Sequence, residues 1–160
     1  RWPSINRPSA DDAFMSKPTP PTLSDYHWTC PITTRWSDND VYHHVNNVVY
    51  YSYFDTVANS YLIAEGGLDF REGPVVGFVV NSSCDYHAPI AFPQQLTGAL
   101  RIDRLGNSSV TYGIAIFVEG SDAACANGSF THVFVDRDSG RPVPIPGTLR
   151  SALDALRAMG

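Results

Sequence analysis

No run of apolar residues in this chain approaches the ~20 that a membrane-crossing helix requires, so no membrane span is expected. Cysteine is scarce: Cys30, Cys84 and Cys125 are odd in number, widely spaced and set among apolar or strand-like neighbours. That pattern fits neither a disulfide framework nor a zinc cluster, and reads as reduced core thiols in a reducing compartment, the cytoplasm or an organelle matrix. Positive charge is short as well, with 11 Lys and Arg against 16 Asp and Glu and a formal net charge of −5. Phosphate backbones bind to basic surfaces, so nucleic acid is not the expected partner. Residues 1–14 hold Arg1, Trp2 and Arg7 but no continuous apolar core, which argues against a secretory signal. Met15 is the expected native start, the residues before it being an addition or the remnant of an organelle presequence. Internal repeats and low-complexity segments are absent too.

What is present describes a globular domain. A chain of 160 residues, 43% hydrophobic and 12% aromatic, is long enough to bury a core as one unit. Pro3, Pro8, Pro18, Pro20 and Pro21, with Pro31 soon after, rule out helix or central strand near the start. Residues 1–27 are therefore expected to be an extended or disordered arm, and residues 28–160 the domain.

Hydrophobic periodicity gives the elements. Tyr50, Phe54, Val57 and Tyr61 recur at helical spacing, Val49, Tyr53 and Ala64 add a second face, and Val48 and Tyr51 widen it. A helix apolar around most of its circumference should be enclosed. Asn46 or Asn47 is its natural cap and Gly66-Gly67 its end. Before it, His27 to Trp36 read as a first strand, with Pro31 placing part of it at an edge. After it, period-2 alternation marks strands from Val75 through Tyr86, Leu96 to Asp103, Val110 to Val118 and about Ala124 to Val135, separated by Gly, Asn and Asp turns. A proline connector leads to a short amphipathic helix carrying Leu149, Leu153 and Leu156. One helix followed by about four strands in hairpin succession predicts an α+β fold, an antiparallel sheet curled around the helix.

Chemistry concentrates just before that helix. Asp38, Asn39, Asp40, His43, His44, Asn46 and Asn47 crowd against its start. Unpaired N–H groups and a partial charge of about +0.5 make a helix N-terminus an anion site, and Asp40 is near enough to turn back toward it. Thioester hydrolysis asks for little more. A thiol with a pKa near ~8.5 leaves without a general acid, so one carboxylate and one oxyanion donor suffice. The same Asp residues are also ordinary turn formers. His43 and His44 with His27, His87 or His132 show no metal-ligand spacing, so no metal is expected.

The run Arg35-Trp36-x-Asp38-x-Asp40-x-x-x-His44-Val45-Asn46-Asn47-x-x-Tyr50, followed by Phe54-Asp55, resembles the signature of the 4-hydroxybenzoyl-CoA thioesterase-like branch of hotdog-fold acyl-CoA thioesterases. Residues 104–110 and 140–146 are similar to that family's sheet turn and tail, and the likeness covers about residues 28–148. It implies a sheet of about five strands wrapped around a central helix, association into a homodimer or homotetramer, an acyl-CoA substrate and no cofactor. It implies Asp40 as nucleophile or general base, and the Asn47 backbone N–H as oxyanion donor. A glycine usually stands where this chain has His43. His44, Asn46, Tyr50, Gly77 and Arg104 are further candidates for contact with substrate, and Lys17, Arg101, Arg137 and Arg141 for the phosphates of coenzyme A. The residues leave open a hydratase or dehydratase acting on an acyl thioester, with Asp40 and His44 moving protons, and a non-catalytic acyl-binding module.

Overall fold

The structure, a computed structural model, describes residues 18–160. Most of the arm expected over residues 1–27, with Lys17, lies outside the described residues. Of its last part, Thr22 forms an antiparallel bridge with Ala123, Leu23–Asp25 make a 3-10 turn, and Tyr26 is buried edge-on to Phe117 at 6.1 Å.

Five strands form along the alternating segments: β1 (Trp28–Thr33), β2 (Val75–Tyr86), β3 (Gln95–Leu105), β4 (Ser109–Val118) and β5 (Ala126–Asp136). Helix α1 (Val49–Ala64) lies between β1 and β2 in the chain, and α2 (Gly147–Arg157) follows β5. All strand pairs are antiparallel, and the sheet runs β1-β3-β4-β5-β2. Pro31 sits in the edge strand β1, where its missing N–H costs no second ladder.

Hairpin succession holds for β3, β4 and β5 and fails between β2 and β3. Strand β2 pairs with β5 along its whole length, from Val75 opposite Asp136 to Tyr86 opposite Ala126. Residues 87–94, which carry Pro89 and Pro93, are too many and too stiff for a tight turn, and cross to the other side of the sheet. Their anchor is Ile90, which is fully buried.

The sheet closes on α1, which touches all five strands. Tyr50, Phe54, Val57, Ala58, Tyr61 and Leu62 meet Leu96, Leu100, Tyr112, Ile114, Ile116, Phe130 and Phe134 in one apolar cluster. Each large side chain fully enclosed there contributes about 1.5–3 kcal/mol of transfer free energy. Enclosure is less complete than the sequence suggests: Ser52, Asp55, Thr56 and Ile63 keep one stripe of α1 exposed. On the inner side a Cβ at Gly98 would collide with Val57 and press on Ile32, so glycine lets helix and sheet approach there. The helix ends where expected, with Gly67 at φ 63° and the Leu68 N–H reaching back to the Leu62 carbonyl at 3.0 Å. Helix α2 adds Leu149, Leu153 and Leu156 to the core, and Tyr61 donates its hydroxyl to the Ala152 carbonyl at 2.6 Å.

Candidate active site

Between β1 and α1 the chain makes a small hairpin whose root is pinned on two sides. Asn39 and Val45 form its closing bridge. Toward the crossing segment, Val45 donates its N–H to the Ile90 carbonyl at 2.7 Å, and Asn39 Oδ1 accepts the Phe92 N–H at 3.0 Å. Toward α1, the buried Asp38 accepts the Tyr53 hydroxyl at 2.7 Å. The same carboxylate takes the Arg35 backbone N–H at 2.8 Å and Arg35 Nε at 3.0 Å, with Nη2 at 2.9 Å. Burial alone would raise its pKa, but the Tyr53 hydroxyl and Arg35 outweigh it and hold the carboxyl below its ordinary value. Tyr53 is pushed the other way, chiefly by burial and then by Asp38, and stays a neutral donor.

Asp40 is the first residue beyond the root. Its N–H bonds the His44 carbonyl at 2.9 Å, its own carbonyl accepts the His43 N–H at 3.1 Å, and its carboxylate accepts the Tyr42 N–H at 2.8 Å. The turn needs a left-handed residue, and His43 supplies it at φ 66°. That conformation is why glycine suits this position in the signature.

Asn46 closes a turn just ahead of α1. Its N–H bonds the Asp38 carbonyl at 2.8 Å, its carbonyl accepts the Val49 N–H at 2.9 Å, and its Oδ1 accepts the Val48 N–H at 3.1 Å. The regular helix therefore begins at Val49, two to three residues after the Asn residues expected to start it; its N-cap is Val48, with no side-chain cap bond, and Asn46 instead closes the turn just before it. The Asn47 N–H has no acceptor among the described residues. Its carbonyl is held by the Tyr86 hydroxyl at 2.8 Å, and Tyr86 packs edge-on to Tyr50 at 5.1 Å. Burial raises the Tyr50 pKa to about 12 and moves Tyr86 in the same direction, so both rings remain uncharged at neutral pH.

Two cavities flank the hairpin. One, of about 270 Å³, is lined by His44, Val45, Asn47, Tyr50, Tyr86 and His87 with Ala88 and Pro89. The other, of about 370 Å³, is lined by Trp36, Asn39, Asp40, Val41 and His43. The single chain thus brings His44, Asn47 and Tyr50 together and sets Asp40 across the hairpin from them. Gly77 and Arg104 line neither cavity. Gly77 lies opposite Phe134, where a Cβ would come within 3.4 Å of His132 Nδ1, and Arg104 is exposed beside a register shift in β3. Among the described residues no group of His, Cys, Asp and Glu is arranged to hold a metal.

Sequence reasoning missed the parts played by Tyr53 and Tyr86. Both read as core or strand aromatics, and only the meeting of segments distant in the chain reveals their hydroxyl contacts.

The chain is similar to proteins already described. A family model for the thioesterase-like superfamily matches residues 34–153. The crystal structure of the PA5185 protein from Pseudomonas aeruginosa strain PAO1 is 59% identical, covering 86% of this chain and 96% of that one with a TM-score of 0.85. The structure of Slr0204, a 1,4-dihydroxy-2-naphthoyl-CoA thioesterase from Synechocystis, is 19% identical over 81% of this chain and 96% of that one, with a TM-score of 0.73. The uncharacterized protein YsmA of Bacillus subtilis strain 168 is 24% identical over 82% of this chain and 88% of its own length.

Proposed function

Because the chain belongs to the thioesterase-like superfamily, we propose that it hydrolyses an acyl-CoA thioester to a free acid and CoA. The observation that carries this reading is the Asn47 N–H, left without an acceptor among the described residues beside the start of α1. A thioester carbonyl oxygen bound there gains a hydrogen bond as negative charge develops on it, an effect worth about 10²–10³ in rate for one such donor. Asp40 either attacks the carbonyl carbon with its own carboxylate oxygen, giving a mixed anhydride that water then cleaves, or takes a proton from a water whose oxygen attacks. In both courses the carbon–sulfur bond breaks and the thiolate leaves. The activity in Slr0204's name supports coenzyme A as carrier.

Self-association belongs to the same reading. Among the described residues strand β2 has one neighbour only, and it presents Phe78, Val79 and Val80 at 54%, 44% and 59% exposure. A long edge with apolar side chains is a template for pairing with a second copy. Tyr86, at its end, touches Asn47, so that pairing would bring the partner to the cavity.

The test is thiol release from short, medium, long and aromatic acyl-CoAs by the wild type and by Asp40→Asn. Hydrolysis of one class, lost in a folded Asp40→Asn, supports the assignment and names the acyl group. Equal activity in both removes Asp40 from the chemistry. Hydration of an enoyl thioester without thiol release would replace the hydrolase reading.

A further inference from the structure

We infer that Asp38, clamped by Tyr53, is a positioning residue that fixes Asp40 relative to the Asn47 N–H; this rests on the thioesterase reading above. Asp38 reaches both halves of the site. Asp40 follows two residues later in the chain, while the Asp38 carbonyl holds the Asn46 N–H at 2.8 Å, one residue before Asn47. Its carboxylate is spent: Oδ2 takes the Arg35 N–H and the Tyr53 hydroxyl, and Oδ1 takes Nε and Nη2 of Arg35. At 1% exposure and with its lone pairs occupied, it has nothing left to offer a substrate and acts as a strut.

The strut has a defined load. Asn39 and Val45 tie the hairpin to the crossing segment, and Tyr53 is the side chain through which the hairpin root is bonded to α1. Without the Tyr53 hydroxyl the hairpin stays fastened to Phe92 and Ile90 and keeps the bond from the Asn46 N–H to the Asp38 carbonyl, but its root loses the side-chain bond to α1, the helix that follows Asn47. A misplacement of about 1 Å between reacting groups lowers rate by about 10²-fold.

Tyr53→Phe removes one oxygen and keeps the ring in the core, so the protein stays folded. The expected result is a kcat lower by about ten-fold or more with KM changed less than about two-fold, because ground-state binding is untouched. In an Asp40→Asn background the same change should leave the residual rate as it was, an outcome that general weakening of the fold would not give. Amide hydrogen exchange on the wild type and Tyr53→Phe needs no substrate, and faster exchange confined to Asn46 and the hairpin is expected. Unchanged kcat in an active protein, or unchanged exchange at Asn46, overturns the inference. No thiol release by the wild type, with the exchange change present, instead overturns the thioesterase reading and leaves the strut standing.

Discussion

His43 carries a cost that its neighbours impose. A non-glycine residue in the left-handed region is disfavoured by roughly 1–2 kcal/mol, and glycine's extra freedom when unfolded returns about 0.5–1 kcal/mol of that. His43→Gly is therefore expected to stabilise the protein by up to about 1 kcal/mol, raising Tm by about 2–4 °C while thiol release is retained; a lower Tm would show that the His43 side chain earns its strain. His132 sets a pH dependence. It is 1% exposed, edge-on to Tyr112 at 5.3 Å and to Phe134 at 6.3 Å, and burial holds its pKa below the ordinary value against a weaker pull from Asp55. Unfolded chains then bind the extra proton first as pH drops below about 6.5, so stability is full above that value and declines as pH falls through the folded pKa. Urea midpoints from about pH 8 to about pH 5 should fall more steeply for the wild type than for His132→Gln. Parallel curves would contradict this. At this scale the signature makes Asp40 a candidate and marks the odd His43, but does not show the Tyr53 bond that holds the buried Asp38. An Asp beside an Asn reads as a turn residue, and its partner Tyr53 is fifteen residues away on another element.

The elements were legible where their periodicity was local. Alternation from Leu96 to Ile102 and from Val110 to Val118 marks two-faced strands, and Pro31 marks an edge. Partner choice was not legible, because the pattern along β2 says which face is buried and nothing about which strand lies beside it. Nor does helical spacing show how closely a helix sits on its sheet. That closeness depends here on Gly98, and Gly98→Ala would force a methyl against Val57 and Ile32. Overpacking of this kind typically costs about 1–3 kcal/mol. Denaturant unfolding should show a lower midpoint with an unchanged slope, and a further Val57→Ala should recover part of the loss. An unaltered midpoint for Gly98→Ala would mean the helix shifts without strain.

For the whole molecule, the exposed edge of β2 yields a prediction about assembly. A charge at the centre of that edge opposes pairing, so Val80→Lys should reduce the molecular mass in solution to that of one chain and lower thiol release with it. A wild type already monomeric by light scattering at micromolar concentration, or a Val80→Lys variant still paired, would refute this. The strand order has one more consequence. Among the described residues β1 pairs only with β3, and β2 only with β5, so residues 18 to about 94 hold two strands and a helix with no ladder among them. Pairing of β1 waits for β3, and that of β2 for β5, the last strand to be synthesised. The first half emerges from the ribosome with its apolar helix and both future edges uncovered, and commitment to the native state waits for the second.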